Sequence, residues 1–257
     1  MLGFSRIMHV AIFTLLAAGA QESSVEPKSY DCYRAGTPLH IDGKLDDRAW
    51  QTAPWTTDFV DIEGSAKPVP RFRTRAKLLW DDEYLYIGAE LEEPEVKATL
   101  TKHDSVIFHD NDFEVFLKPP GDAPGYFEFE INALNTGWDL YLNKPYRLGG
   151  KADNSWDIPG LKTAVAIDGT LNDPSDKDRG WTVEMAFPWS AFASRLPVTR
   201  PVTGDQWRIN FSRVEWKAGQ PTEDNWVWSP QGLINMHVPE HWGYLHFQSK
   251  LQSTKRK

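Results

Sequence analysis

The sequence predicts an all-β protein, folded as an antiparallel β-sandwich. Most of the chain consists of short segments in which apolar and polar residues alternate, as they do in strands with one buried face. The segments between them are rich in glycine, proline and aspartate, which favour turns and loops. A helical period occurs only in short turns near residues 46–52 and 189–192. Many short strands joined by such loops are typical of a sandwich or a barrel.

The first predicted hairpin covers residues 72–92. Residues 72–80 alternate, with the basic side chains on the face opposite to Phe72, Leu78 and Trp80. An acidic turn at residues 81–83 leads into residues 84–92, whose inward positions are Leu85, Ile87, Ala89 and Leu91. A period of two on both sides of a tight turn predicts two antiparallel strands.

A second hairpin is predicted from residues 113–118 and 126–133, which flank a loop of glycine and proline at residues 119–125. The inward positions of its second strand are Phe127, Phe129, Ile131 and Ala133. The outward positions are Glu128, Glu130 and Asn132. The two glutamates either form a plain exposed sheet face or belong to a binding surface.

Further strands are predicted at residues 162–167, 181–187, 206–215 and 243–247. Residues 143–161 and 172–180 are interpreted as insertions between strands. The chain shows no internal repeat and no low-complexity linker, so residues 31–250 are predicted to form one domain. A disordered lead at residues 21–30 and a basic tail at residues 251–257 flank it.

Residues 1–20 have the features of an export signal. Arg6 precedes an apolar run, and the segment closes on the small residues Ala18, Gly19 and Ala20. The run is shorter than the roughly 20 apolar residues that span a bilayer, so a cleaved signal is favoured over a membrane anchor. The single cysteine, Cys32, cannot form an internal disulfide. These features predict a secreted, periplasmic or cell-surface protein.

Composition narrows the possible ligands. The 28 basic and 36 acidic residues leave a net charge of −8, which repels nucleic acid. The chain has 12 Trp, 8 Tyr and 13 Phe, more than a core alone needs, so some aromatic rings are available as flat platforms for ligand rings. The inward positions assign four tryptophans to the core: Trp50, Trp80, Trp181 and Trp207.

Several motifs occur in the order found in one family. They are Ile41 to Asp46 with Ala49-Trp50, Leu79 to Tyr86, Asp110 to Phe116, Gly180 to Glu184 with Phe187 to Trp189, Trp228 to Pro230, and Trp242 to Phe247. In this order the chain resembles the family 9 carbohydrate-binding modules over residues 39–247. The resemblance implies a DOMON-like β-sandwich of the jelly-roll type that binds sugars. It also implies attachment to or cooperation with polysaccharide hydrolases, and in some members a structural calcium ion.

The resemblance implies roles for particular residues. Phe108 occupies the position of an aromatic residue that packs on a sugar ring, and Glu114 that of a carboxylate that accepts hydroxyl protons. Asn132 falls at a polar sugar contact. Glu130 stands where well-studied members have arginine, and Met236 stands near an expected tryptophan. The resemblance implies two aromatic rings that hold the sugar between them, and one of these rings is missing here. Trp138, Trp156 or Trp228 could replace the missing ring.

A protein binds a sugar with an aromatic ring against the apolar face and fixed polar groups around the hydroxyls. Residues 108–114 supply both kinds of group, and His237 lies in the altered segment at residues 235–240. The candidate sugar-binding residues are Phe108, Asp110, Asp112, Glu114, Glu130, Asn132, Trp138, Trp156, Trp228 and His237. A calcium site at Asp110, Asn111 and Asp112 is the alternative to a solvated acidic turn.

Three other functions remain open at this stage. Asp112 and Glu114 share one strand face, a poor arrangement for the two acids of a glycoside hydrolase, which flank the scissile bond. No hydrolase, zinc-peptidase or phosphate-loop motif is present. Haem would need ligands on opposite faces of the iron, and two adjacent residues cannot provide them. His237 would therefore need Met185 as its partner rather than its neighbour Met236. A structural or protein-binding surface domain would share the fold. The sequence therefore favours non-catalytic carbohydrate binding, without a required cofactor.

Overall fold

The computed structural model of the chain describes residues 26–121 and 123–249. This part has thirteen strands: β1 Ser29–Arg34, β2 Val60–Asp61, β3 Thr74–Trp80, β4 Tyr84–Glu92, β5 Asp112–Lys118, β6 Tyr126–Asn132, β7 Gly137–Leu142, β8 Ala152–Asp153, β9 Lys162–Asp168, β10 Gly180–Pro188, β11 Gln206–Glu215, β12 Asp224–Val227 and β13 Gly243–Gln248. One short helix, α1, covers Trp189–Ala193. Short 3₁₀ turns lie at Trp50–Thr52, Ile107–His109, Tyr146–Leu148 and Pro239–His241. No helix in these two ranges is long and apolar enough to cross a membrane.

The strands form one curled sheet whose two halves pack against each other as a sandwich. The order along the sheet is β8-β7-β6-β5-β11-β13-β1-β3-β4-β10-β9, and β12 joins β11 to β2. Apolar residues of both halves, among them Leu78, Ile87, Val115, Phe129 and Phe211, pack in one core. The predicted all-β sandwich is therefore confirmed.

The predicted strands and their inward faces are also confirmed. The two hairpins correspond to β3–β4 and to β5–β6, paired in antiparallel register. The four tryptophans assigned to the core, Trp50, Trp80, Trp181 and Trp207, are all buried. Alternation succeeds here because one face of each of these strands contacts the core.

Two expectations about the sheet need correction. The strand β1 begins at Ser29, inside the segment predicted as a disordered lead. It also pairs in parallel with both β13 and β3, so the sandwich is not wholly antiparallel. β1 was missed because only Tyr30 and Cys32 are apolar and inward. The predicted signal at residues 1–20 and the tail at residues 251–257 lie outside the described residues.

The loop before Trp50 is tied to the sheet by one buried carboxylate. Glu184 Oε2 on β10 accepts hydrogen bonds from the backbone N–H groups of Asp42 and Gly43, both at 2.9 Å. Its Oε1 accepts the Trp50 Nε1–H at 2.6 Å. Gly43 has φ +88°, and a Cβ there would lie 2.5 Å from the carbonyl carbon of Val165, so only glycine fits. These contacts explain why the Asp42-Gly43 and Trp50 motifs occur with Glu184.

Replacement of Glu184 by glutamine is expected to lower the free energy of unfolding by about 1–2 kcal/mol, because an amide nitrogen cannot accept the hydrogen bonds that the second carboxylate oxygen accepts. Denaturant unfolding measures the loss. Glu90→Gln is the control: Glu90 lies in a part-exposed cluster with Arg73 and Arg75, and its loss should cost less than about 1 kcal/mol. Equal losses for the two variants would contradict the anchoring role of Glu184.

Candidate functional site

A row of carboxylates forms the floor of a cavity of about 430 Å³ on the outer face of β5 and β6. Glu114 on β5 lies directly opposite Glu130 on β6, and Glu128 is two residues before Glu130 on the same strand. The exposed fractions are 5% for Glu114, 2% for Glu130 and 4% for Glu128. The interpretation of Glu128 and Glu130 as a plain exposed sheet face is therefore wrong, because chain segments cover this face.

Aromatic and apolar side chains form the walls that cover the floor. On one side Phe108 and Trp138 lie with their ring centroids 6.3 Å apart. On the other side Tyr146 packs edge-on against His237 at 4.6 Å, and Met236 lies beside them on the cavity wall. The cavity thus combines apolar ring surfaces with a polar floor, the arrangement of a small-molecule site.

Phe108 is held in place by its backbone. Its N–H donates to Glu130 Oε2 at 3.0 Å, and its carbonyl oxygen accepts the Trp216 Nε1–H at 2.8 Å. The ring itself is 36% exposed, one of the more exposed large apolar side chains in the described residues. A fixed backbone under an exposed ring gives a platform that needs little ordering when a ligand binds.

Burial dominates the electrostatics of the floor. It raises the pKa of Glu114 to about 7. Burial, reinforced by the neighbouring carboxylates, raises the pKa values of Asp112, Glu128 and Glu130 well above their ordinary range. Like charges directly opposite each other on paired strands destabilise a sheet. The cluster therefore holds protons at a pH where exposed carboxylates have lost them.

Two floor oxygens have no hydrogen-bond partner among the described residues: Glu128 Oε2 and Asp112 Oδ2. His237 Nδ1 lies 3.9 Å from Glu128 Oε2, beyond hydrogen-bonding distance. That nitrogen is instead hydrogen-bonded to the Tyr126 hydroxyl at 2.8 Å. Burial lowers the pKa of His237 to about 4, so the imidazole is neutral near pH 7 and gives Glu128 no counter-charge.

The segment Asp110 to Asp112 is not a solvated turn. Asp110 accepts the backbone N–H groups of Thr99 and Leu100 at 2.8 Å, and Asp112 Oδ1 accepts that of Val214 at 3.0 Å. All of their side-chain oxygens except Asp112 Oδ2 hold neighbouring segments, and the three side chains are buried. Asp112, whose Oδ2 is left over, lies in a group with Glu114 and Glu130 whose carboxylates are close enough to hold a metal ion, so the calcium site stays a prediction.

Asn132 has a structural contact where a sugar contact was expected. Its amide nitrogen donates to Asp110 Oδ2 and to the Leu100 carbonyl oxygen, both at 2.9 Å. Its carbonyl oxygen accepts the N–H groups of Leu134 and Thr136, both at 3.0 Å. Asn132 is fully buried, so both ends of the amide are engaged away from the cavity.

Asn111 is hydrogen-bonded to a buried ion cluster. Its amide nitrogen donates to Glu93 Oε2 at 3.1 Å. The same oxygen accepts Arg213 Nη2–H at 2.7 Å, and Arg213 also binds Glu215. Arg213 is fully buried. One guanidinium thus forms ion pairs with two carboxylates. Burial, together with the nearby Glu93, raises the pKa of Glu215 to about 8.

The structure assigns three other predicted residues to the interior. Trp156 and Trp228 are 7% and 1% exposed and pack in the core, so neither ring is available to a ligand. The choice among the three tryptophans therefore falls on Trp138, which lines the cavity. Met185 is in the same core and His237 is on the outer face of β6, so they are separated by the sheet and cannot share a haem iron.

Sequence reasoning missed part of the site. Glu128, Tyr146, Glu223 and Ile234 also line the cavity. The outward alternation of acids on both strands was the available signal for Glu128. The other three lie between strands or in a 3₁₀ turn, where no periodic pattern assigns a face.

A second group of titratable residues lies at the outer end of β7. His103 Nε2 is 3.2 Å from Asp157 Oδ1, 3.3 Å from Asp139 Oδ1 and 3.4 Å from Asp104 Oδ1. Burial alone would lower the pKa of His103, but the hydrogen bond to Asp157 and the other carboxylates raise it. This donor set, from separate chain segments, could hold a cation with oxygen and nitrogen ligands.

A family model described as carbohydrate family 9 binding domain-like matches residues 41–250. Two curated proteins match shorter parts. An exoglucanase, XynX, from Acetivibrio thermocellus is 27% identical over 156 residues, 61% of this chain and 12% of that protein. Endo-1,4-beta-xylanase C from Paenibacillus barcinonensis is 34% identical over 82 residues, 32% of this chain and 7% of that protein. The chain matches only a small part of these relatives.

Solved structures share the fold at low identity. A candidate carbohydrate-binding protein from Bacteroides uniformis superimposes with a TM-score of 0.67 at 18% identity, covering 87% of this chain and all of that one. A family 9 carbohydrate binding module from Caldicellulosiruptor kristjanssonii in complex with cellotriose gives a TM-score of 0.58 at 17% identity, covering 90% and 98%. Its glucose complex gives 0.58 at 17% identity, covering 88% and 100%.

Proposed function

Because this chain belongs to the carbohydrate family 9 binding domain-like family, we propose that it is a non-catalytic carbohydrate-binding protein whose ligand occupies the cavity over Glu114, Glu128 and Glu130. The observation that carries the proposal is the cavity itself, with aromatic walls above a carboxylate floor. Phe108 and Trp138 offer ring surfaces to the apolar face of a sugar. The floor carboxylates accept hydrogen bonds from its hydroxyls.

The arrangement of the acids favours binding over hydrolysis. Glu114, Glu128 and Glu130 lie side by side on two neighbouring strands, at one face of the cavity. A glycosidase needs two carboxyl groups that flank the scissile bond. Acids on one floor approach a ring from a single side, so they are suited to hold a sugar rather than to cleave it.

The proposal extends to the setting of the protein. An export signal at residues 1–20 would deliver it to the periplasm, the cell surface or the medium, where polysaccharides occur. The two curated relatives are named an exoglucanase and a xylanase. We propose that this protein holds glycans near a polysaccharide hydrolase or near the cell.

A glycan screen with the mature protein tests the function. The panel contains cello-, xylo- and chito-oligosaccharides and algal and bacterial glycans, with and without calcium. Binding without the release of new reducing ends is the expected result. Release of reducing ends, lost in Glu114→Gln, would favour a hydrolase. Absence of binding to every glycan would favour a structural or protein-binding domain, and a Soret absorption band would favour haem.

Phe108→Ala is expected to weaken sugar binding about 10-fold, because it removes an exposed ring worth about 1–1.5 kcal/mol of stacking. Isothermal calorimetry with the best ligand of the screen measures the change. Val202→Ala removes an apolar side chain that is 56% exposed and outside the cavity, so it should bind as the parent does. Equal affinity of the Phe108 variant and the parent would show that Phe108 does not contact the sugar.

A further inference from the structure

We propose that the cavity selects a sugar that bears a protonated amine, an amino sugar in a deacetylated glycan. This inference rests on the proposed function, because it names the class of sugar that the same cavity takes. It is based on the charges that line the cavity, on the one oxygen of Glu128 that has no hydrogen-bond partner and on the shape of the walls.

All charged side chains that line the cavity within the described residues are acidic. They are Glu114, Glu128 and Glu130 on the floor and Glu223 on the wall, and no lysine or arginine lines it. His237 is the nearest basic group, and burial keeps it neutral near pH 7. A neutral sugar leaves several buried carboxylates without a counter-charge, whereas a cation placed among them supplies it.

Glu128 shows where the cation would lie. Its carboxylate is 4% exposed and lines the cavity, yet Oε2 has no hydrogen-bond partner. A buried acceptor without a partner is costly to the fold. An ammonium group has three N–H donors and could reach Glu128 together with Glu114 or Glu130. Charge-assisted hydrogen bonds of this kind are roughly twice as strong as those between neutral groups.

The walls indicate that the cation is part of a ring. Phe108, Trp138 and Tyr146 flank the floor and leave a space of about 430 Å³, far more than a bare ion needs. A metal ion would use the carboxylates and leave these aromatic surfaces exposed to water. An amino sugar uses both parts of the cavity at once, because its apolar face packs on a ring while its amine points to the floor.

Binding of an amine should release protons from the floor. The groups facing Glu114 are Asp112 on its own strand, Glu128 and Glu130 on β6, Glu223 between β11 and β12, Tyr146 on the wall and His237 before β13. Burial and mutual repulsion raise the pKa values of the floor carboxyl groups, that of Glu114 to about 7, so they hold protons at a pH where exposed carboxyl groups are ionised. The arriving ammonium stabilises their ionised forms, so the protons pass to the buffer.

Three disaccharides that differ at carbon 2 provide the test. They are cellobiose with a hydroxyl, deacetylated chitobiose with an amine and N,N′-diacetylchitobiose with an acetamide. Calorimetry at pH 6.5 in chelator is expected to give at least tenfold tighter binding for the amine than for either neutral sugar. The heat of amine binding should also depend on the ionisation enthalpy of the buffer. In Glu128→Gln, the ratio of the affinity for deacetylated chitobiose to the affinity for cellobiose should fall toward one.

The outcomes separate this inference from the proposed function. Equal binding of the amine and hydroxyl sugars would overturn amine selection while carbohydrate binding stands. Binding that appears for all three sugars only when calcium replaces the chelator would assign the cation to a metal ion and overturn the inference. Failure of every glycan in the screen to bind would overturn both. Circular dichroism and thermal unfolding show whether the Glu128 variant is folded, and Glu223→Gln tests the same charge from the wall.

Discussion

Replacement of Arg213 by methionine is expected to lower the free energy of unfolding by about 3–5 kcal/mol. The guanidinium of Arg213 is fully buried, and all five of its N–H groups have partners. Two of them bind Thr74 Oγ1 and the carbonyl oxygen of Glu92, at 3.0 and 2.8 Å. The other three bind Glu215 and Glu93. Methionine fills much of the volume but leaves Glu93 buried without its positive charge, and it leaves Glu215 with only the more distant Arg71, at 3.9 Å.

Denaturant unfolding of matched variants measures this effect. Arg213→Lys keeps the charge but loses the planar fork of donors, so an intermediate loss is expected. Arg73→Met removes an arginine that is 40% exposed and pairs with Glu90 and Glu92 on the surface, and it should cost less than about 1 kcal/mol. If Arg213→Met and Arg73→Met have the same stability, the buried cluster does not hold this part of the fold. Asn111 binds Glu93 and also accepts the backbone N–H of Trp216, whose side chain holds Phe108, so the Arg213 variant is also expected to weaken ligand binding.

The ligand-free protein is expected to lose stability as the pH rises from about 5 to 8. The floor carboxyls have higher pKa values in the folded protein than in the unfolded chain, mainly because they are buried. The folded state therefore binds more protons, and its stability is greatest below the unfolded pKa and falls as the pH rises through the folded pKa. For Glu114, whose pKa is about 7, the loss is roughly 3 kcal/mol. Proteins whose carboxylates are paired with cations at the surface instead gain stability as the pH rises through the carboxyl pKa.

One histidine opposes this trend over part of the range. The pKa of His237 is lowered to about 4, so its contribution to stability grows as the pH rises to about 6.5 and is then complete. Between pH 6.5 and 8.5 the change in the calorimetric melting temperature therefore comes from ionisation of the buried carboxyl groups and not from the imidazole. Glu128→Gln should melt higher than the parent at pH 8 and show a smaller decline. Asp168→Asn, at an exposed ion pair with Arg179, should leave the slope unchanged. A melting temperature that rises over this interval would contradict the buried charge cluster.

Alternation predicted the sandwich because it reports which face of a strand meets the core. It placed Phe127 and Phe129 correctly, and it also placed Glu128 and Glu130 on the same opposite face. It could not reveal that this second face is covered. The cover comes from residues 233–238 and from the turn Tyr146–Leu148, whose positions depend on long-range packing rather than on local pattern.

The candidate site was recovered in part for the same reason. Phe108, Glu114, Glu130, Trp138 and His237 meet at one cavity although they come from separate segments. The alternatives Trp156 and Trp228 are core residues. A single sequence gives the number of tryptophans, but it does not distinguish a ring packed between sheets from one that faces solvent. The partnerless oxygen of Glu128 likewise depends on three-dimensional neighbours and leaves no trace in the sequence.

The position of β1 has a consequence for the order of folding. Near one end of the described chain, it pairs with β13 near the other end, and it is parallel to both of its neighbours. The central part of the sheet therefore cannot close until β13 has been synthesised. Contacts between distant parts of a chain form slowly. During that interval the two edges that β1 will later join are open to other chains, so the protein is most exposed to aggregation before β1 and β13 have paired.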